Sequence, residues 1–280
     1  MELFAGRNII IATKHQKEKV IAPLLEEALG LRCMVPTDLD TDQLGTFSGE
    51  INRPGSPLET LKQKCLLAIE QYPSDLVLAS EGSFGPHPFL PFIAADEEYM
   101  MLLDRKNNIE IVVKELSSET NFAGKTINNY QELLSFAEEV RFPSHALILK
   151  AAEFDNSHLL KGIQSEEELA MAFQKLLPIN GSVYAMTDMR AMYNPSRMSV
   201  IEQVVKKLIQ KIKSTCPQCN FPGFDVSSII PGLPCKNCLL PSSSALSHVY
   251  QCKQCNYQKE LMYPKGQSYI DPMYCDTCNP

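Results

Sequence analysis

No apolar run in these 280 residues reaches the roughly 20 needed to cross a bilayer as a helix, which excludes a helical membrane span. The opening MELFAGRNIIIATKH lacks the apolar core and cleavage pattern of a secretory signal, so a cytoplasmic protein without a membrane partner is expected. Arginine is missing from residues 214–280, which hold four lysines and four acidic residues. A nucleic-acid reader needs a basic face to neutralise phosphates. Lys236, Lys253, Lys259 and Lys265 alone do not supply one, and nucleic acid is the least favoured partner. The tyrosines of this tail (Tyr250, Tyr257, Tyr263, Tyr269 and Tyr274) are expected to cover a small core. The net charge of −7 therefore belongs to residues 1–213.

What the tail has instead is cysteine. Eight of the ten cysteines form four Cys-x-x-Cys knuckles, Cys216/Cys219, Cys235/Cys238, Cys252/Cys255 and Cys275/Cys278. Two cysteines separated by two residues can wrap one ion from a single turn, and two knuckles complete a four-thiolate site, the ligand set of structural zinc. Two zinc ions are predicted, with the eight cysteines as their ligands. A site closed by four thiolates has no open position for a substrate, so it stabilises a small domain rather than catalysing. Consecutive pairing would give two successive ribbons, and alternating pairing would interleave the sites. Pro-Gly and Pro-x-Gly turns in the loops between Cys219 and Cys235 and between Cys255 and Cys275 favour consecutive pairing. Cys33 and Cys65 lie in apolar surroundings and read as small core residues.

Upstream, β-rich runs alternate with helical patterns, the signature of an α/β domain. Asn8 to Ala12 reads as a buried strand, Lys17 to Leu29 as a helix stopped by Gly30, and Leu31 to Val35 as a second strand. Ser56-Pro57-x-Glu59 has the form of a capping box opening a helix that runs to about residue 72. Leu76 to Ala79 is a third strand leading into a stiff loop, Glu81-Gly-Ser-Phe-Gly-Pro-His-Pro88. Two hairpin arms, Glu98 to Leu103 and Ile109 to Val113, follow, then a strand at Ala146 to Lys150 between helices near residues 127–140 and 166–177. Ile201, Val204, Val205, Leu208, Ile209 and Ile212 recur at helical spacing. The expected architecture is a mixed sheet flanked by helices over residues 1–213, followed by a zinc-ribbon module over 214–280.

Polar clusters stand where such a sheet builds sites, at strand ends and helix starts. Thr13, His15 and Lys17 follow the first strand into a helix N-terminus, whose free amides and dipole favour phosphate. Glu50 and Glu81 are carboxylates that could serve Mg²⁺, an ion that takes one or two carboxylates and keeps several waters. Ser83 and His87 sit in the Gly-Pro loop after Glu81, and Arg190 and Arg197 lie in the polar stretch before the last helix of the α/β domain, where their guanidinium groups suit phosphate. His145 and His158 read as structural.

The whole chain, through ATKHQKEK, GTFSGE, EGSFGPHP, TDMRAMYNPSRM and YCDTCNP, resembles an uncharacterised family known as a domain of unknown function. The motif order of residues 8–85 is also similar to the inosine triphosphate pyrophosphatase-like superfamily of house-cleaning nucleotide pyrophosphatases. That resemblance implies a phosphate-binding turn at Thr13 to Lys17, a loop carboxylate at Glu50, a helix Lys at Lys64 beside Cys65, a metal-serving acid at Glu81 and a base-contacting turn at Pro195-Ser196-Arg197. His15 stands where that family has Asn, Glu81 where it has Asp, and the His of its Ser-His-Arg turn is missing. The implied function is Mg²⁺-dependent hydrolysis of a nucleotide or related phosphate compound, with Glu50, Glu81 and Lys64 catalytic. Thr13, His15, Lys17, Ser83, His87, Arg190 and Arg197 would bind substrate. The alternative is a non-enzymatic binder of a small phosphorylated anion whose zinc tail docks a protein partner.

Overall fold

The computed structural model describes residues 3–40 and 55–280. Glu50 and the rest of the GTFSGE stretch lie outside the described residues. The chain divides into two compact units, Met1–Ile209 and Gln210–Pro280, where the sequence reading places the division after residue 213. Among the described residues, no helix is long and apolar enough to cross a membrane.

The first unit opens with β1 (Asn8–Ala12), a continuous apolar run buried from Ile9 onward, as a strand covered on both faces requires. Helix α1 (Glu18–Leu29) ends where Gly30 adopts φ 67°, the left-handed conformation that lets a glycine close a helix. After β2 (Arg32–Met34) comes α2 (Pro57–Gln71), whose capping box is complete: the Ser56 hydroxyl accepts from the Glu59 amide and the Glu59 carboxylate from the Ser56 amide. Strands β3 (Leu76–Pro86), β4 (Ala94–Asp104) and β5 (Ile109–Ser117) complete a five-stranded sheet ordered β2-β1-β3-β4-β5. It is parallel from β2 to β3 and antiparallel from β3 to β5. On one face Leu61, Cys65 and Ala68 of α2 pack on Ile10, Ala12, Val77, Ala79 and Met101. Strand alternation sends Ile9, Ile11, Leu78 and Leu102, all fully buried, to the other face.

The stretch Glu81 to Pro86, read from its glycines and prolines as a loop, is strand: β3 pairs with β4 from Leu76↔Asp104 to Pro86↔Ala94. The register with β1 covers only Val77 to Ala79. Beyond that point β3 has β4 on one side alone among the described residues, and an edge tolerates proline.

A second sheet, unforeseen in the sequence, is built from β6 (Gly124–Ile127), β7 (Leu147–Lys150), β8 (Leu159–Ile163) and β9 (Val183–Thr187). Its order is β6-β9-β7-β8, antiparallel throughout. Helices α3 (Tyr130–Glu139) and α4 (Glu166–Asn180) cover it with Leu133, Phe136, Leu169 and Phe173. Helix α5 (Pro195–Lys213) buries the whole predicted stripe, including Val204, Val205, Leu208 and Ile212. Cys65 is a core thiol as expected, whereas Cys33 is only half-buried, and burial pushes both up to about 12.

In the second unit, β10 (Asp225–Pro231), β11 (Ala245–Gln251) and β12 (Gln258–Met262) form an antiparallel sheet in chain order. Phe224 packs with Tyr250 and Tyr257 at centroid distances of 5.7 and 6.0 Å, which gives those two tyrosines the core role expected of them, whereas Tyr263, Tyr269 and Tyr274 are exposed.

Candidate functional site

Two constellations concentrate the polar chemistry, one in each unit. In the second, Cys216, Cys219, Cys252 and Cys255 form one group and Cys235, Cys238, Cys275 and Cys278 another, each group's sulfurs lying within 4.8 Å of one another. This corrects the consecutive pairing favoured by the Pro-Gly turns. The antiparallel sheet supplies the reason. The first knuckle precedes β10 and the third lies between β11 and β12, which puts both at one end of the sheet. The second follows β10 and the fourth follows β12, at the opposite end. Each strand carries the chain from one group to the other, so turn chemistry foretold hairpins but not the ends at which the knuckles meet.

The groups fit a tetrahedral ion. Sulfur separations are 3.7 Å for Cys216–Cys255, 3.6 Å for Cys219–Cys252, 3.8 Å for Cys235–Cys278 and 3.7 Å for Cys238–Cys275. A tetrahedron with metal–sulfur bonds of about 2.3 Å has an edge of about 3.8 Å, whereas a disulfide would bring two sulfurs to about 2.05 Å. Three knuckles repeat one turn. The first cysteine's amide donates to the carbonyl five residues on (Phe221, Leu240 or Tyr257), at 2.9 Å each time. The residue after the second cysteine is left-handed: Asn220 at φ 58°, Leu239 at 60°, Asn256 at 59°. The amides of Gln218, Asn237 and Gln254 donate to the sulfurs of Cys216, Cys235 and Cys252 at 3.4 Å, partial positive charge that a thiolate requires.

In the first unit, buried charges gather where β1 ends and β3 runs on beyond it. Lys17 is carried there by two consecutive left-handed residues, His15 at φ 64° and Gln16 at φ 63°, strain of a kind that concentrates at functional sites. Its amine donates to Ser80 Oγ at 3.2 Å and lies 3.9 Å from Glu98 Oε2. Lys64, from α2, donates to the Ser80 carbonyl at 3.2 Å and pairs closely with Glu81. Arg197, in the first turn of α5, donates from Nε to Glu98 Oε1 at 2.6 Å and from Nη1 to the Met189 carbonyl. Its guanidinium lies 4.9 Å from the centre of the Phe84 ring. All five charged groups are at least nine-tenths buried. The register sets Gly82 opposite Glu98, and a Cβ on Gly82 would collide with both Arg197 and Glu98, so the ion pair occupies the space the glycine leaves. Burial, then repulsion from Arg197, lowers the Lys17 amine to about 8 against the pull of Glu98.

Asp96, two residues before Glu98 on the same face of β4, is fully buried with neither carboxylate oxygen hydrogen-bonded. Burial, then the charge of Glu98, pushes it up to about 8 against Arg197 and Lys17.

Of the residues singled out by sequence, the fold thus gathers Lys17, Lys64, Glu81 and Arg197. Thr13 is buried and donates to the Lys14 carbonyl at 3.2 Å. Ser83 sits on β3 opposite Glu97. His87 accepts the amides of Phe89 and Leu90 at 3.2 Å through Nδ1 and so holds the turn of the β3–β4 hairpin. Arg190 forks onto Asp188 at 2.6 to 3.2 Å and lies over Tyr193, pinning its own loop. His145 Nε2 and Arg141 Nη1 both hold Ser196 Oγ at 2.9 Å. Asn194, fully buried, caps α5 by accepting the Arg197 amide at 3.0 Å. The stretch Asn194 to Arg197 therefore aims a guanidinium. Ser80, Gly82, Asp96 and Glu98 were missed. The run Asp96-Glu97-Glu98 ahead of the apolar stretch Tyr99 to Leu103 is the available signal, two of its three acids falling on one strand face.

Among the described residues, the two cysteine groups alone bring three or more Cys, His or carboxylate ligand atoms within 4.8 Å. No curated protein and no solved structure matches this chain. A family match does cover Lys64, Glu81, Asp96, Glu98, Arg197 and all eight knuckle cysteines, and the chain belongs to that family, described as Domain of unknown function (DUF6671), over residues 64–280.

Proposed function

We propose that the first unit is a Mg²⁺-dependent hydrolase of a nucleotide or related phosphate compound, and that the second is a structural module holding two zinc ions. The observation that carries the first reading is the meeting of Lys17, Lys64 and Arg197 with Glu81 and Glu98 at the carboxyl ends of parallel strands, the place where open α/β sheets bind ligands. Burying ionised side chains costs several kcal/mol each even when they are paired, and a cluster of five is a poor device for stability alone. Phosphoryl chemistry asks for charge neutralisation and alignment more than covalent chemistry. Lys17, Lys64 and Arg197 would grip phosphate oxygens. Glu81, relieved of Lys64 as the phosphate takes that partner, would orient the attacking water. Mg²⁺ would add neutralisation of the charge developing on the phosphate.

For the second unit, four thiolates at tetrahedral spacing select zinc among common cellular metals. Exposed Leu239, Tyr274 and Met273 on this near-neutral module favour, as a second role, a docked protein partner.

The test is release of phosphate or pyrophosphate from a panel of nucleoside triphosphates with Mg²⁺, beside the Glu81→Gln variant. Release that disappears in the variant is the expected result. Binding of these compounds without any release would replace the hydrolase by an anion-binding protein.

A further inference from the structure

A carboxylate shut away from water needs hydrogen-bond donors, a cation or a proton, because desolvating an unpaired charge is among the costliest acts in folding. Most buried carboxylates of this protein have found one. Asp104 is fully buried but is forked by Arg7 at 2.5 and 2.9 Å and receives Asn107 Nδ2 at 2.7 Å. Asp188, equally buried, takes Arg190 and the Gly162 amide at 3.1 Å. Asp96 is different: it has no exposure and no hydrogen bond to either oxygen, and Glu98 Oε2 on the same strand face has no donor within bonding distance either. Both Asp96 oxygens are thus orphaned, and Glu98 Oε2, two residues on along the same strand face, has only the Lys17 amine at 3.9 Å, beside a cluster whose other members are hydrogen-bonded.

We propose that Asp96 and Glu98 form the site of one hard divalent cation, Mg²⁺ or Mn²⁺. This puts on β4 the cation that the hydrolase reading requires, and it rests on that reading for its use. Oxygen-only ligands suit such ions, which take one or two carboxylates and complete their octahedron with waters and substrate oxygens. The charge count also fits. Lys17, Lys64 and Arg197 balance Glu81, Glu98 and ionised Asp96, so the cation brings an excess of two positive charges, which a phosphate compound cancels. The groups facing Asp96 are Glu98 on its own strand, Arg197 from α5 and Lys17 from the turn before α1.

The experiment is calorimetric titration of the zinc-loaded protein with Mn²⁺ at neutral pH, with and without methylenediphosphonate, for the wild type and Asp96→Asn. Glu98→Gln strands Arg197 and can fail to fold. Asp96→Asn removes no hydrogen bond, and the melting temperature of its first unit without added Mg²⁺ or Mn²⁺ should equal or exceed that of the wild type. The expected result is one Mn²⁺ per wild-type chain, tightest with the diphosphonate, and an affinity at least tenfold weaker in Asp96→Asn. Equal binding by both proteins would overturn the site, and so would no binding by either under both conditions. Mn²⁺ binding without phosphate release would keep the site and remove the hydrolase, whereas hydrolysis that survives Asp96→Asn would keep the hydrolase and remove the site.

Discussion

In the C-terminal unit each group of four thiols draws its ligands in pairs with two residues between them, set by a local turn used three times over. In the N-terminal unit the charged groups come singly, from the turn after β1, from α2, from β3, from β4 and from α5, with Lys17 and Arg197 meeting at the same Glu98. A thiolate pair can be specified by four residues because a turn supplies both sulfurs and the amides that face them. A buried ion cluster needs the whole sheet in place before any partner is near. The first can be organised by a bound ion, the second only by the fold.

Chelation should have the largest effect. Apparent binding energies for structural zinc of about 10–16 kcal/mol exceed what so small a module can gain from its own core, so metal removal should unfold residues 210–280 while the first unit keeps its own cooperative melt in calorimetry. Pairing can be read by zinc content. Cys219→Ser with Cys252→Ser strikes one group and should leave one zinc per chain, whereas Cys219→Ser with Cys238→Ser strikes both groups and should leave none. Equal zinc in the two double variants would overturn the interleaved arrangement.

In the first unit, Arg197→Met should cost about 3–5 kcal/mol in denaturant unfolding, because it strands Glu98 in the interior. Gly82→Ala should cost about 1–3 kcal/mol by forcing Arg197 and Glu98 apart, with a larger proportional loss of any phosphate affinity.

The pH dependence sharpens the contrast further. A carboxyl whose folded value is raised, as at Asp96 to about 8, favours the folded state at low pH and loses that contribution as pH climbs from the ordinary carboxylate range to about 8. An amine whose folded value is lowered, as at Lys17 to about 8, destabilises below that pH and ceases to do so as pH rises toward the ordinary lysine value. Without added Mg²⁺ or Mn²⁺, the melt of the first unit should therefore lose stability from pH 5 to about 8, and Asp96→Asn should flatten this slope. The smallest effect is expected at Leu239, which stands left-handed where two other knuckles use asparagine. Leu239→Asn should stabilise the module by up to about 1 kcal/mol, seen as a rise in its melting temperature.

What could be read before folding follows the same division. The knuckles, the Ser56/Glu59 box, the Gly30 stop and the α5 stripe are local, and each appears where its residues place it. Strands β6, β8 and β9 are four or five residues long, and β6 exposes all but Ile127, so little alternation marked them and their pairing is wholly tertiary. Lys17, Glu81 and Arg197 are legible as chemistry at expected strand ends and helix starts, and Lys64, in the middle of α2, only through the resemblance to the pyrophosphatase-like superfamily. Asp96 and Glu98 are not legible, because a charged residue inside a strand reads as a solvated face until the neighbouring layer is known to cover it.

The antiparallel sheet of the second unit is also a spacer. A strand of seven residues, as in β11, spans about 23 Å, which sets the scale of separation between the thiol groups at its two ends. Four thiolates around a divalent ion leave a formal charge of about −2 on each centre, and the Debye length in physiological salt is about 8 Å. Two such centres would therefore be screened from one another and would fill independently, even though the chain laces the two thiol groups together so that neither can be cut away as a separate piece.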